Sequence, residues 1–173
     1  MADHSLNAIR AAAKAMEEVI LPALDPKHPL AREQAGLVAR TLRLMEQRVD
    51  YAYARNRFEL AQACDLGQAV AVPPFDVSPA LDTALRDAVQ AGRELLASPQ
   101  ARPSQLQAAT TTLGELVAAL VRTVDAVRPQ ALPPLERLVL EKSSAWLDMQ
   151  RAWFLPQGWE PAPDRIPPLD TIL

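Results

Sequence analysis

A chain of 173 residues, 49% of them hydrophobic, is long enough for one domain with a real core. Its net charge of −3 gives no case for nucleic acid or an anionic membrane as partner. Only 5% of it is aromatic, so alanine and leucine supply the apolar content, which favours close-packed helices over sheets. Cys64 is the lone cysteine, which excludes an intrachain disulfide and fits a reducing cytoplasm.

Met1–Ala13 is polar and mixed, so no secretory signal is expected there. A first helix is expected to begin near Asp3 or Ser5, either of which can cap it. It carries Leu6, Ile9, Ala13, Met16, Val19 and Ile20 on one face, and Pro22 kinks or ends it. The stiff turn Asp25-Pro26-Lys27-His28-Pro29 then makes the next helix an antiparallel neighbour.

That second helix is predicted over Leu30–Leu66, a stretch without proline and with Gly36 as its one glycine. As one continuous helix it would be about 55 Å long, at roughly 1.5 Å per residue. Ala31, Ala35, Val38, Leu42, Met45, Val49, Ala52, Asn56, Leu60 and Ala63 recur at steps of three and four, a seam of coiled-coil type. Gly67 is placed for a left-handed C-terminal cap.

Gln68–Val77, with Pro73 and Pro74, reads as an extended crossing segment. Ser78-Pro79 restarts a helix that shows Leu81, Leu85, Ala88, Gly92 and Leu95, with Ala88 and Gly92 small enough to admit a close neighbour. Ser98-Pro99 stops it. Ser104 with Gln107 predicts a capping box for a fourth helix, whose stripe runs Leu106, Ala109, Leu113, Val117, Leu120, Val124 and Val127 before Pro129. Pro133 and Pro134 open a fifth, with Leu135, Leu138, Val139, Ala145, Trp146, Met149 and Trp153. No apolar run approaches the ~18 residues that would span a membrane.

These elements predict an all-α, antiparallel bundle of about five helices organised around the long helix. The bundle would occupy residues 1–155, and the Pro-rich segment 156–173 would be an irregular tail docked on the bundle or on a partner subunit.

The unusual residues lie in the second half of the long helix. At 100° per residue, Arg43, Glu46, Asp50 and Arg57 fall away from the seam and form its solvated face. Arg48, Arg55 and Glu59 fall beside the apolar arc, and Asn56 lies in the seam itself. Two readings stay open. In one, Arg55 and Glu59 pair at i, i+4 and Asn56 fixes register. In the other, Arg48, Tyr51, Arg55, Asn56 and Glu59 form a ligand-binding pocket whose guanidiniums hold a phosphate or carboxylate.

No catalytic, metal or cofactor signature accompanies them. A di-metal bundle site needs Glu-x-x-His on facing helices, and this pattern does not occur. His4 and His28 lie at the chain start and in the proline turn. Nothing near Cys64 would activate its thiol.

Leu6–Arg48, with Ile20-Leu21-Pro22-Ala23-Leu24 followed by Ala35, Ala39, Leu42 and Arg48, resembles a group of small helical bacterial proteins of unassigned activity. They are encoded near acyl-CoA dehydrogenase-like and aminoglycoside-phosphotransferase-like proteins. The resemblance implies an accessory role near acyl-CoA metabolism and transfers no site residue. The arginine excess over lysine also points to a GC-rich bacterial genome.

The expectation is a non-enzymatic cytoplasmic protein acting by self-association or protein–protein interaction. The overlong second helix would lie in a homodimer interface, with neither nucleic acid nor membrane as partner. The alternative is a small-molecule binder or accessory enzyme that recognises an anionic ligand, acyl-CoA related, through Arg48 and Arg55.

Overall fold

The Ala- and Leu-rich segments fold into helices packed on one another. The computed structural model describes residues 4–173, and among them there is no strand. Asp3, one of the two caps expected for the first helix, lies outside the described residues. Eight α-helices are found there: α1 His4–Ala15, α2 Leu21–Ala23, α3 Pro29–Arg48, α4 Ala52–Val70, α5 Pro79–Ala97, α6 Pro103–Val127, α7 Leu132–Phe154 and α8 Leu169–Ile172.

The predicted long helix is longer than expected and is interrupted. It starts with Pro29, which has no N–H to leave unsatisfied, and reaches Val70. Between α3 and α4 lies a 3₁₀ turn, Val49–Tyr51. The chain divides into two compact units at this point: the first holds the described residues up to Ala52 with Arg151–Ile166, the second Tyr53–Gln150 with Pro167–Leu173.

In the first unit α1 packs on α3. Its buried apolar side chains are few: Ala13, Ala39, Ala152, Trp153 and Ile166. Charges supply much of the remaining contact. Arg43 Nε donates to Glu17 Oε1 (2.9 Å) and Nη1 to Glu46 Oε2 (2.8 Å), while Arg10 Nε reaches Glu46 Oε1 (2.9 Å). Arg43 and Glu46, expected on a solvated face, are thus part of the packing between α1 and α3. Between α1 and Pro22 the helix widens into a π-helical turn, Met16–Ile20, and helix ends at Ala23 with Leu24 extended. The segment after α7 is pinned by a two-pronged pair, Arg151 Nε and Nη2 to Glu160 at 3.0 and 2.8 Å.

The second unit holds the larger core, with Leu60, Cys64, Val70, Leu85, Val89, Leu106, Leu113, Val117, Leu120, Val124 and Leu135 buried. The stripes of α5 and α6 face it as their periodicity predicts, except at Val127, which is exposed. Ser78 Oγ accepts from the N–H of Leu81 (3.5 Å), with Pro79 at the first helical position. Two expected caps are replaced. Gly67 does not end a helix; it lies inside α4, where an added Cβ would meet Val89 and Leu113 at 2.9 and 3.3 Å, so its role is close approach. The α6 box is formed two residues earlier than Ser104–Gln107 would place it. Pro103 takes the first helical position, and Gln105 Oε1 accepts from the Arg102 N–H (2.9 Å).

Candidate functional site

The five candidate residues divide between the units. Arg48 and Tyr51 belong to the first, and Arg55, Asn56 and Glu59 to the second. Arg48 serves the last turn of α7, where helical carbonyls lack intrahelical donors. Its Nε donates to Trp153 O (2.9 Å) and its Nη2 to Ala152 O (3.1 Å), with the guanidinium 6.0 Å from the centre of the Trp153 ring. Burial lowers the pKa of this guanidinium from its ordinary value, and Tyr51 opposes the shift.

Arg55 and Glu59 form the expected i, i+4 pair on α4, at 2.9 Å. Gln150 joins them: its Nε2 donates to Glu59 Oε1 (3.1 Å), and its Oε1 accepts from Arg55 Nη2 (3.4 Å). Asn56 is 8% exposed, and it is the one buried polar residue among those described. Its Oδ1 accepts from Gln107 Nε2 (3.2 Å), the side chain assigned by sequence to the α6 box. Arg57, expected in solvent, donates to Leu96 O at the end of α5 (2.8 Å) and lies 5.9 Å from the centre of the Tyr53 ring. These arrangements neutralise charge and satisfy backbone oxygens.

A different feature of the first unit stands open. At 100° per residue, Leu30, Gln34, Leu37, Val38, Thr41 and Met45 of α3 fall within an arc of about 100°. All six are exposed, the four apolar ones at 67% (Leu30), 38% (Leu37), 45% (Val38) and 48% (Met45). Buried Ala39 projects to the opposite side of the helix. No charged side chain between Leu30 and Met45 projects onto the stripe. The seam read from the sequence is therefore split lengthwise: Ala35 and Leu42 are half-buried, while Ala31, Val38 and Met45 are exposed.

The second unit has a groove of about 390 Å³, where Arg86, Gln90 and Arg93 of α5 face Gln68 over a floor that includes Val72 and Val89. Both guanidiniums are engaged there, Arg86 with Asp82 (2.9 Å) and Arg93 with Gln68.

No family model, curated protein or solved structure matches this chain.

The functional reading comes from the chain's own geometry. Among the described residues no group of three metal-ligating side chains gathers, and no helix is long and apolar enough to cross a membrane. Cys64 is buried, and burial raises its thiol pKa, the direction that suppresses a nucleophilic thiolate. The Arg86–Gln90–Arg93 row could have been found from its i, i+4, i+7 spacing. The open stripe of α3 needed the structure, since the sequence could not say which side of the seam α1 would cover.

Proposed function

We propose that this is a non-enzymatic helical protein that works by self-association, with the uncharged stripe of α3 as the contact surface. The observation that carries the reading is the contiguous run of exposed Leu30, Leu37, Val38 and Met45 on a helix whose opposite side is already packed. Their exposures together amount to about two whole side chains per protomer. At roughly 1.5–3 kcal/mol for each fully buried side chain, a pair of protomers gains about 6–12 kcal/mol. Association costs about 4–15 kcal/mol, so the dimer is expected to be weak, with a dissociation constant in the micromolar range or above. The lone buried thiol agrees with a reducing, cytoplasmic setting.

Sedimentation equilibrium from about 1 to 200 μM tests this, with the micromolar range set by the affinity arithmetic. A concentration-dependent rise from 18.9 kDa toward twice that mass is expected. Val38→Asp, which places a charge in the stripe without touching the core, should hold the chain at the monomer mass. A wild-type protein of 18.9 kDa at every concentration would refute the reading.

A further inference from the structure

We infer that two copies of this chain pair antiparallel through α3, about a two-fold axis passing between Leu37 and Val38. This rests on the self-association reading and specifies its partner and register. A two-fold contact requires a patch complementary to itself. In an antiparallel pair the stripe is read backwards against its copy. Centred between Leu37 and Val38, it brings Leu30 opposite Met45, Gln34 opposite Thr41, and Leu37 opposite Val38 of the second copy. Apolar meets apolar at each end and at the centre, and amide meets hydroxyl between them.

The charges beside the stripe fit the same axis. Glu33 and Arg40 are exposed, and among the described residues neither side chain has an ion-pair partner. They project to one flank of the stripe, seven residues apart on one helix, too far for a local i, i+4 pair. Reversal about the axis carries Arg40 of the second copy to within two residues of Glu33 along the helix, about 3 Å at 1.5 Å per residue. Helices packed 8–10 Å apart leave a gap that Glu and Arg side chains bridge, and symmetry makes the pair twice. A parallel two-fold pairing would carry this flank of the second copy to the opposite side of the interface, so Glu33 and Arg40 would not meet and the cross-pair would be lost.

The test combines charge exchange with cross-linking on the full chain, with helicity checked by circular dichroism. Glu33→Arg or Arg40→Glu alone should raise the dimer dissociation constant roughly tenfold, because each turns two attractions into two repulsions. The double exchange, Glu33→Arg with Arg40→Glu, should return it to about the wild-type value. Under mild oxidation Gln34→Cys with Thr41→Cys should give a disulfide-linked dimer, and Gln34→Cys alone should not. A chain that stays monomeric throughout removes the self-association reading and this arrangement together. A dimer that cross-links through Gln34→Cys alone, or gains nothing from the double exchange, overturns the antiparallel register and leaves self-association standing.

Discussion

Gly92 and Cys64 offer the sharpest test of how the second unit is packed. Gly92 is buried in α5, and a Cβ added there would stand 2.6 Å from Cys64 Sγ, 3.3 Å from Leu60 Cδ1 and 3.6 Å from Leu113 Cδ1. The Leu113 contact is ordinary, whereas the sulfur contact is about 1 Å too short for non-bonded atoms. In a core packed at crystal density, relieving it means moving α4 or α5. Overpacking of this kind costs about 1–3 kcal/mol, against a gain of about 0.8–1.0 kcal/mol in helix propensity for glycine to alanine. Gly92→Ala is therefore expected to lose up to about 2 kcal/mol net. Cys64→Ala should also be destabilising, because it leaves a void where the sulfur was. In the double variant the new methyl group occupies space the sulfur vacated, so stability should return close to wild type. The coupling between the two sites should fall at about 1–3 kcal/mol. Urea unfolding followed by far-UV circular dichroism gives all four corners of the cycle. If Gly92→Ala is more stable than wild type and the two changes are additive, the close approach of α5 to α4 at this level is wrong.

Asn56→Leu should raise the melting temperature by a few degrees. It exchanges one net hydrogen bond of about 0.5–1.5 kcal/mol for burial of a leucine worth about 1.5–3 kcal/mol. Gln107, its partner, is exposed and can turn to water; a clear fall in melting temperature would show that Asn56 does more than fill space. The ion pairs of the first unit predict acid sensitivity. Hydrogen bonds from Arg43 hold the carboxyls of Glu17 and Glu46 below their ordinary value of 4.5, and Arg151 does the same for Glu160. Each carboxyl is thus ionised more readily folded than unfolded. Its contribution is complete above about 4.5, the unfolded value, and fades as pH falls through the lower folded value. Helicity of the first unit should therefore drop between pH 5 and 3, and Arg43→Met should flatten that dependence; equal acid profiles for the two proteins would refute the assignment.

Much of the second unit was legible in the sequence. Leu85, Leu106, Leu113, Val117, Leu120 and Val124 recur at helical spacing, and burial follows the stripe because one periodic face can meet only one core. Ser78-Pro79 marked a helix start for a local reason that no tertiary contact overrides. Gly67 and Ser104 were misleading because glycine and serine carry several meanings. At Gly67 tight packing against Val89 and Leu113 outweighs the tendency to terminate, and at α6 the proline one residue earlier fixes the start. The seam of α3 was visible, but periodicity records that a face is apolar without recording what covers it. The first unit buries little beyond Ala13, Ala39, Ala152, Trp153 and Ile166, so one side of that seam remained open.

The arginines explain why the sequence suggested an anion pocket on the long helix. A guanidinium beside an apolar arc suggests a buried negative ligand, because a desolvated charge needs a partner. Here backbone oxygens act as that partner repeatedly. Arg48 takes the carbonyls of Ala152 and Trp153, Arg57 that of Leu96, Arg32 that of Leu24 and Arg128 that of Pro74. Three of these sites lie at or just beyond the ends of α7, α5 and α2, where carbonyls lack helical donors and the helix dipole favours a cation. A planar fork of five donors reaches two adjacent carbonyls at once, as Arg48 does, and a lysine ammonium lacks that fixed geometry. The arginine bias thus has a structural use in these helical units: it supplies donors to carbonyls at helix ends. Because those guanidiniums are already matched to oxygen acceptors within the chain, they are not left to hold an anion.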